Sequence, residues 1–231
     1  MKKLMLGAIL LGSAAISNAQ VAGGKIILGG GMGFNSSSGE TEIVSGGTTV
    51  TREAPKVTGL NFGPRIGYMI NDDLGAGLIF NLNRTRSIEK DPDPFTKEIN
   101  QTISLNQFFL FGRYYKSLNE KFYLFGELAF GPGFGKIIDE ETDVNGVKTT
   151  LESSMSTFNV GLWPGISYFP HEKIGIELSV GLLGFNSMST EFTNPNNGDK
   201  FTERESNFDL GLNGGDQFST GGINLSVLLY L

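Results

Sequence analysis

The chain has 231 residues, 24 acidic against 18 basic side chains, a formal charge of -6 and no cysteine. The acidic balance excludes a basic groove for nucleic acid. The missing thiols exclude disulfides, thiolate catalysis and cysteine-ligated metals.

The chain opens Met1-Lys2-Lys3, runs apolar from Leu4 to Leu11, and turns small and polar up to Ser17-Asn18-Ala19. A basic start, a short apolar core and small residues before a cleavage site predict a signal peptide over 1–19. The apolar run falls well short of the ~20 residues a spanning helix needs. The mature domain is therefore expected at 20–231, and losing Lys2 and Lys3 takes its charge from -6 to -8.

Residues 24–35 form the first predicted strand, with Ile26, Leu28, Met32 and Phe34 on one face, and a polar stretch over 36–56 follows. Residues 59–70 place Leu60, Phe62, Pro64, Ile66 and Tyr68 opposite Asn61, Gly63, Arg65 and Gly67. After a turn at 71–73 the chain returns over 74–85, then enters a charged loop, 86–98, where Asp-Pro-Asp-Pro at 91–94 stops a strand. The fourth strand ends over 108–115 and its alternation is the weakest of the set. Residues 122–134 alternate again, an acidic loop covers 136–153, and 158–181 is a hairpin holding strands six and seven. A long polar stretch, 189–216, precedes the closing strand at 220–231. Phe208, Leu210 and Leu212 alternate with polar neighbours. The last strand is therefore expected to begin early and to bulge near Gly214-Gly215 or Gly221-Gly222.

Period-two alternation of this length means strands with one apolar face. No segment after the leader is long enough for a spanning helix, so a membrane location requires a closed barrel. Long polar links alternate with short turns, as in outer-membrane barrels. Gly63-Pro64-Arg65-Ile66-Gly67-Tyr68 is answered by Trp163-Pro164-Gly165-Ile166-Ser167-Tyr168. Tyr68, Tyr114, Phe122, Tyr168 and Tyr230 lie beside the short turns or the terminus, where an interfacial girdle is expected. The competing fold is a soluble lipocalin-like barrel with its apolar face inward. Its outer face would carry only Arg65, Arg113, Glu127 and Glu177 as clear charges, far below the roughly 25–35% of a soluble surface.

In a membrane barrel, parity sends those four residues into the lumen, where charges must be paired or hydrated. The plainer expectation for Arg65, Arg113, Glu127 and Glu177 is an ion network plugging the barrel; the sharper one is a gate or narrow water path. A slip of one residue in the fourth strand would send Arg113 to the lipid. Pro64, Pro132 and Pro164 interrupt strands from the apolar face, so bulges or gaps are expected beside them. The only histidine, His171, lies in a short turn. No catalytic, metal or cofactor residues are assigned. Asp139, Glu140, Glu141, Asp143 and Glu152 against Lys136 and Lys148 make the third loop acidic, and Asp199, Glu203, Glu205, Asp209 and Asp216 do the same for the fourth.

In the last strand, Thr220, Gly222, Leu225 and Val227 occupy the places of the β-signal that barrel-assembly machinery reads, although Leu231 replaces the usual final aromatic. With the leader and the alternating strands, the chain resembles the small outer-membrane β-barrel family related to the membrane domains of OmpA and OmpX. The resemblance implies an all-β, eight-stranded antiparallel up-and-down transmembrane β-barrel in the outer membrane of a Gram-negative-type bacterium. Both termini would be periplasmic and the protein a monomer. Its implied partners are outer-membrane lipid and lipopolysaccharide, barrel-assembly machinery during insertion, and a surface ligand held by the acidic loops. The function expected is a structural or cell-surface interaction role, not an enzyme; the alternative is a narrow channel or small hydrophobic-ligand conduit. A secretion-machinery barrel, a lipid-modifying enzyme and a lipocalin-like binder rank below these.

Overall fold

The computed structural model describes residues 21–45, 48–90, 95–193, 198–210 and 223–231. The expected leader, the 91–94 Pro motif, Thr220, Gly222 and both expected glycine bulges lie outside them.

Every regular element among the described residues is a strand: β1 (Ile26–Ser37), β2 (Glu40–Ser45), β3 (Thr48–Glu53), β4 (Lys56–Met69), β5 (Leu74–Lys90), β6 (Thr96–Ser117), β7 (Phe122–Asp143), β8 (Lys148–His171), β9 (Ile174–Val180), β10 (Leu183–Thr193), β11 (Lys200–Leu210) and β12 (Ile223–Tyr230). Antiparallel pairing runs β1-β4-β5-β6-β7-β8-β9-β12. The ring closes where Ile27, Leu28 and Gly29 of β1 face Tyr230, Leu229 and Leu228 of β12. The result is the eight-stranded up-and-down barrel.

Two of the short turns share one construction. The Asn71 side-chain oxygen accepts from the Asp73 and Leu74 backbone N–H groups at 2.9 and 2.8 Å, and Asn119 does the same for Lys121 and Phe122 at 2.9 and 3.0 Å. Asn is favoured in such turns because its side chain mimics the backbone acceptor. The start of β1 meets the end of β12 at this end of the barrel, where the Ile26 N–H donates to the Leu231 carbonyl at 2.8 Å.

At the other end the structure departs from the sequence reading. The links expected as loops are largely ladder: β5 and β6 remain paired to Lys90 and Glu98, β7 and β8 to Thr142 and Lys148, and β10 and β11 to Thr193 and Lys200. Segments 40–45 and 48–53 form a separate two-stranded hairpin. Beyond the membrane both faces meet water, so polar strands there carry no hydrophobic alternation to betray them.

Alternation sorts the barrel into two surfaces. Leu60, Phe62, Ile66, Leu78, Leu110, Leu128, Phe130, Phe158 and Leu178 point outward and are exposed. Phe109, Phe111, Arg113, Tyr115, Phe125, Glu127 and Glu177 point inward and are buried. Uncovered apolar surface on this scale marks a lipid contact, and the lipocalin arrangement is reversed. The fourth membrane strand is β6, and its register puts Arg113 inside, directly opposite Glu127. Tyr68, Tyr114, Phe122 and Tyr168 stand outward beside the short turns. Tyr230 does not join them: it is fully buried in the lumen, because it shares the parity of the equally buried Leu228.

The prolines mark the irregular places. The β4–β5 ladder lapses at Gly63 and Pro64, and the β6–β7 ladder lapses opposite Gly131 and Pro132. Pro164 sits where the partner of β8 breaks in two: Gly165 faces Ser179 on β9, whereas Leu162 faces Leu183 on β10, a slip of one residue. A proline has no N–H to give the ladder. Gly30 of β1 has φ +155°, and a side chain there would lie 2.7 Å from the Gly63 carbonyl oxygen, beside the first of these gaps.

Candidate functional site

Strands β4, β6, β7 and β9 bring the four expected lumen charges into one connected network. Arg65 Nη1 and Nη2 donate to the two Glu127 carboxylate oxygens at 2.9 and 3.1 Å, a bidentate pair. Arg113 donates to the same carboxylate through Nε at 2.8 Å and Nη2 at 2.6 Å. Its Nη1 reaches Glu177 Oε2 at 2.6 Å. The order across the lumen is Arg65–Glu127–Arg113–Glu177, two cations alternating with two anions.

Three neutral side chains complete it. Ser167 and Tyr230 hydroxyls each donate to Glu177 Oε1 at 3.0 Å. Arg113 Nη1 donates to the Tyr115 hydroxyl at 3.0 Å, and the Tyr115 and Tyr230 hydroxyls lie 2.6 Å apart. The sequence reading missed Tyr115, Ser167 and Tyr230, although each shares the inward parity of a charge on its own or a neighbouring strand. Arg113 and Glu177 side chains are 3% and 1% exposed. Desolvating such charges costs several kcal/mol per ion unless geometry and added hydrogen bonds offset it, and here nearly every donor direction of Arg113 is occupied.

Aromatic rings interleave with the charges. The Arg113 guanidinium lies 4.3 Å from the Phe125 ring centroid, and that of Arg65 lies 5.3 Å from Phe111, both within cation–π range. Toward the short turns, Val21, Ile27, Met69, Tyr115, Phe125, Phe169, Leu228 and Tyr230 form one buried cluster. Further along the barrel, Phe109, Phe111 and Ala129 pack with Ile79 and Trp163. The Trp163 indole lies over Gly161 on the same strand, where a Cβ would come within 2.1 Å of the ring edge, so a side chain there would displace the indole. Eight strands enclose about enough space for side chains alone, and these residues project into it.

His171 stays in its turn, where Nδ1 accepts from the Lys173 N–H at 3.3 Å. Among the described residues no group of three His, Asp or Glu side chains is placed to hold a metal. The acidic third segment is instead tied up in rungs beyond the membrane. Gln101 donates to Asp139 at 2.8 Å, Asn100 to Glu140 at 2.9 Å and Thr96 to Glu141 at 2.9 Å, while Lys148 pairs with Glu140 at 2.6 Å. At the hairpin tip the Val147 N–H, followed by Asn145, holds the Asp143 carboxyl below its ordinary range.

A family model, the outer membrane protein beta-barrel domain, matches residues 6–227. No curated protein matches the chain. Among solved structures, the outer membrane protein OprG of Pseudomonas aeruginosa is similar at 13% identity and TM-score 0.42, covering 92% of this chain and 96% of that one. The attachment invasion locus protein Ail of Yersinia pestis, solved with the heparin analogue sucrose octasulfate, is similar at 14% identity and TM-score 0.35, covering 90% and 97%.

Proposed function

Because the chain belongs to the outer membrane protein beta-barrel domain family, and is thus an outer-membrane barrel of a Gram-negative-type bacterium, we propose that it serves as a closed structural barrel presenting rigid hairpins at the cell surface. The observation that carries this reading is the continuous Arg65–Glu127–Arg113–Glu177 network, packed against two aromatic clusters. A lumen so filled favours a plug over a pore. The hairpins supply the surface: Phe95, Val144 and Val147 are strongly exposed near the β6 and β7–β8 tips. The Val144 N–H donates to the Phe95 carbonyl at 3.1 Å, which ties the two together. Exposed apolar groups on stiff polar supports suit an interaction with another molecule.

Planar-bilayer recordings test the plug. The native barrel is expected to pass no steady current. A steady conductance that Glu127→Gln alters would overturn the structural reading in favour of a narrow channel.

A further inference from the structure

The outer wall of β4 to β8 carries a feature that a closed barrel does not need. Pro64, Phe80, Phe108, Pro132 and Phe158 are aligned across five successive strands on the lipid-facing side. Where the ladder lapses at the two prolines, the wall opens into a concavity of about 750 Å³, lined almost wholly by apolar groups that include Leu78 and Leu110. Phe80 and Phe108, both lining it, have their ring centroids 4.7 Å apart. Arg65 borders it from the lumen side, but its guanidinium is already committed to Glu127.

The same face changes character four residues further toward the cell surface. On β5 the outward series Leu74, Ala76, Leu78, Phe80, Leu82 continues as Arg84 and Arg86. The apolar part spans nine residues, the length a tilted strand needs to cross the hydrocarbon, about 9–11. Arg84 therefore stands at the hydrocarbon edge, about 13 Å along the strand from Phe80. It is exposed, and its register partner Ser104 leads on to Lys136 of β7. Arg86 gives only its Nε, to the Asn100 side-chain oxygen at 2.9 Å. Two acids adjoin: Glu152 pairs with Lys136, and Glu140 pairs with Lys148. Among the described residues neither forms an ion pair with Arg84 or Arg86, although the Glu140 carboxylate, joined to Arg86 through the Asn100 side chain, lies within its electrostatic reach.

A greasy groove with two arginines one headgroup's height above it matches a single molecule. We propose that this wall binds a phosphorylated outer-leaflet lipid, with an acyl chain in the Pro64–Pro132 groove and its phosphate between Arg84, Arg86 and the Ser104 hydroxyl. Arginine suits the phosphate because its planar donors pair with two oxygens at once. The site goes beyond a structural role: it fixes one lipid at one azimuth of the barrel.

The test is native mass spectrometry of the mature barrel released from phosphatidylcholine vesicles doped equally with lipid A and its dephosphorylated form. The native barrel is expected to retain lipid A selectively. Arg84→Ala with Arg86→Ala should lower that retention about thirtyfold, given the usual gain per arginine at an anionic lipid surface. Leu110→Trp, which fills the groove, should lower retention of both lipids. Equal retention of the two lipids by the native barrel would overturn the proposal and needs no variant to fold. So would undiminished selectivity in the double arginine variant, provided its unboiled gel mobility shows an intact barrel. Retention of lipid A unaffected by Leu110→Trp would overturn the acyl-chain half.

Discussion

Glu127→Ala is expected to lower the unfolding free energy of the barrel by about 3–5 kcal/mol, the usual cost of removing one partner from a buried ion network. Glu127 receives four donor contacts, two from Arg65 and two from Arg113. Its loss leaves a guanidinium that is 3% exposed facing Glu177 alone, with Arg65 unmatched. Urea titration of the barrel in lipid vesicles, followed by tryptophan emission from Trp163, measures the effect. Glu127→Gln should cost less, because the amide oxygen still accepts from one arginine. A change below 1 kcal/mol for the alanine variant would mean that water or a rearranged side chain replaces the carboxylate, and the lumen would not be packed as described.

Leu128→Arg is the second large effect, at about 2–4 kcal/mol, the cost of arginine at the bilayer midplane of a barrel. Leu128 lies midway along the outward series from Phe122 to Phe134 and is 48% exposed. The comparison that gives this number meaning is Leu151→Arg. Leu151 is equally apolar and 45% exposed, but it sits on the β8 hairpin arm opposite Asp139. There arginine meets water, and a change under 1 kcal/mol is expected in the same titration. Equal costs at the two positions would contradict the placement of the membrane.

The barrel itself was legible because one face must satisfy lipid, and lipid tolerates no exception to the alternation. The same rule explains where legibility ended. In β6 the run Phe108-Phe109-Leu110-Phe111 is apolar on both faces, since the lumen there is aromatic, and only the pairing of Arg113 with Glu127 reveals its register. Tyr230 was expected in the girdle from its place beside the terminus, yet parity with Leu228 was the better guide, and it became a donor to Glu177. The hairpin arms were hidden for the opposite reason. Between water and water nothing forces alternation, and pairs such as Gln101–Asp139 hold strands that composition alone reads as loop. In the sequence Arg84 lay near the end of the third strand, whereas Arg86 opened a charged loop. Only the β5–β6 ladder, unbroken from Leu74 to Lys90, aligns Arg86 with Arg84, Leu82 and Phe80.

Between Phe122 and Phe134 the even-numbered residues of β7 face lipid while the odd-numbered residues face the lumen. A nitroxide scan from Phe122 to Phe134 in lipid vesicles, comparing collisions with oxygen and with a water-soluble nickel chelate, reads this directly. Oxygen accessibility is expected to alternate with period two, high at Leu124, Leu128 and Phe130 and low at Phe125, Glu127 and Ala129. Alternation of the opposite phase, or none, would contradict it.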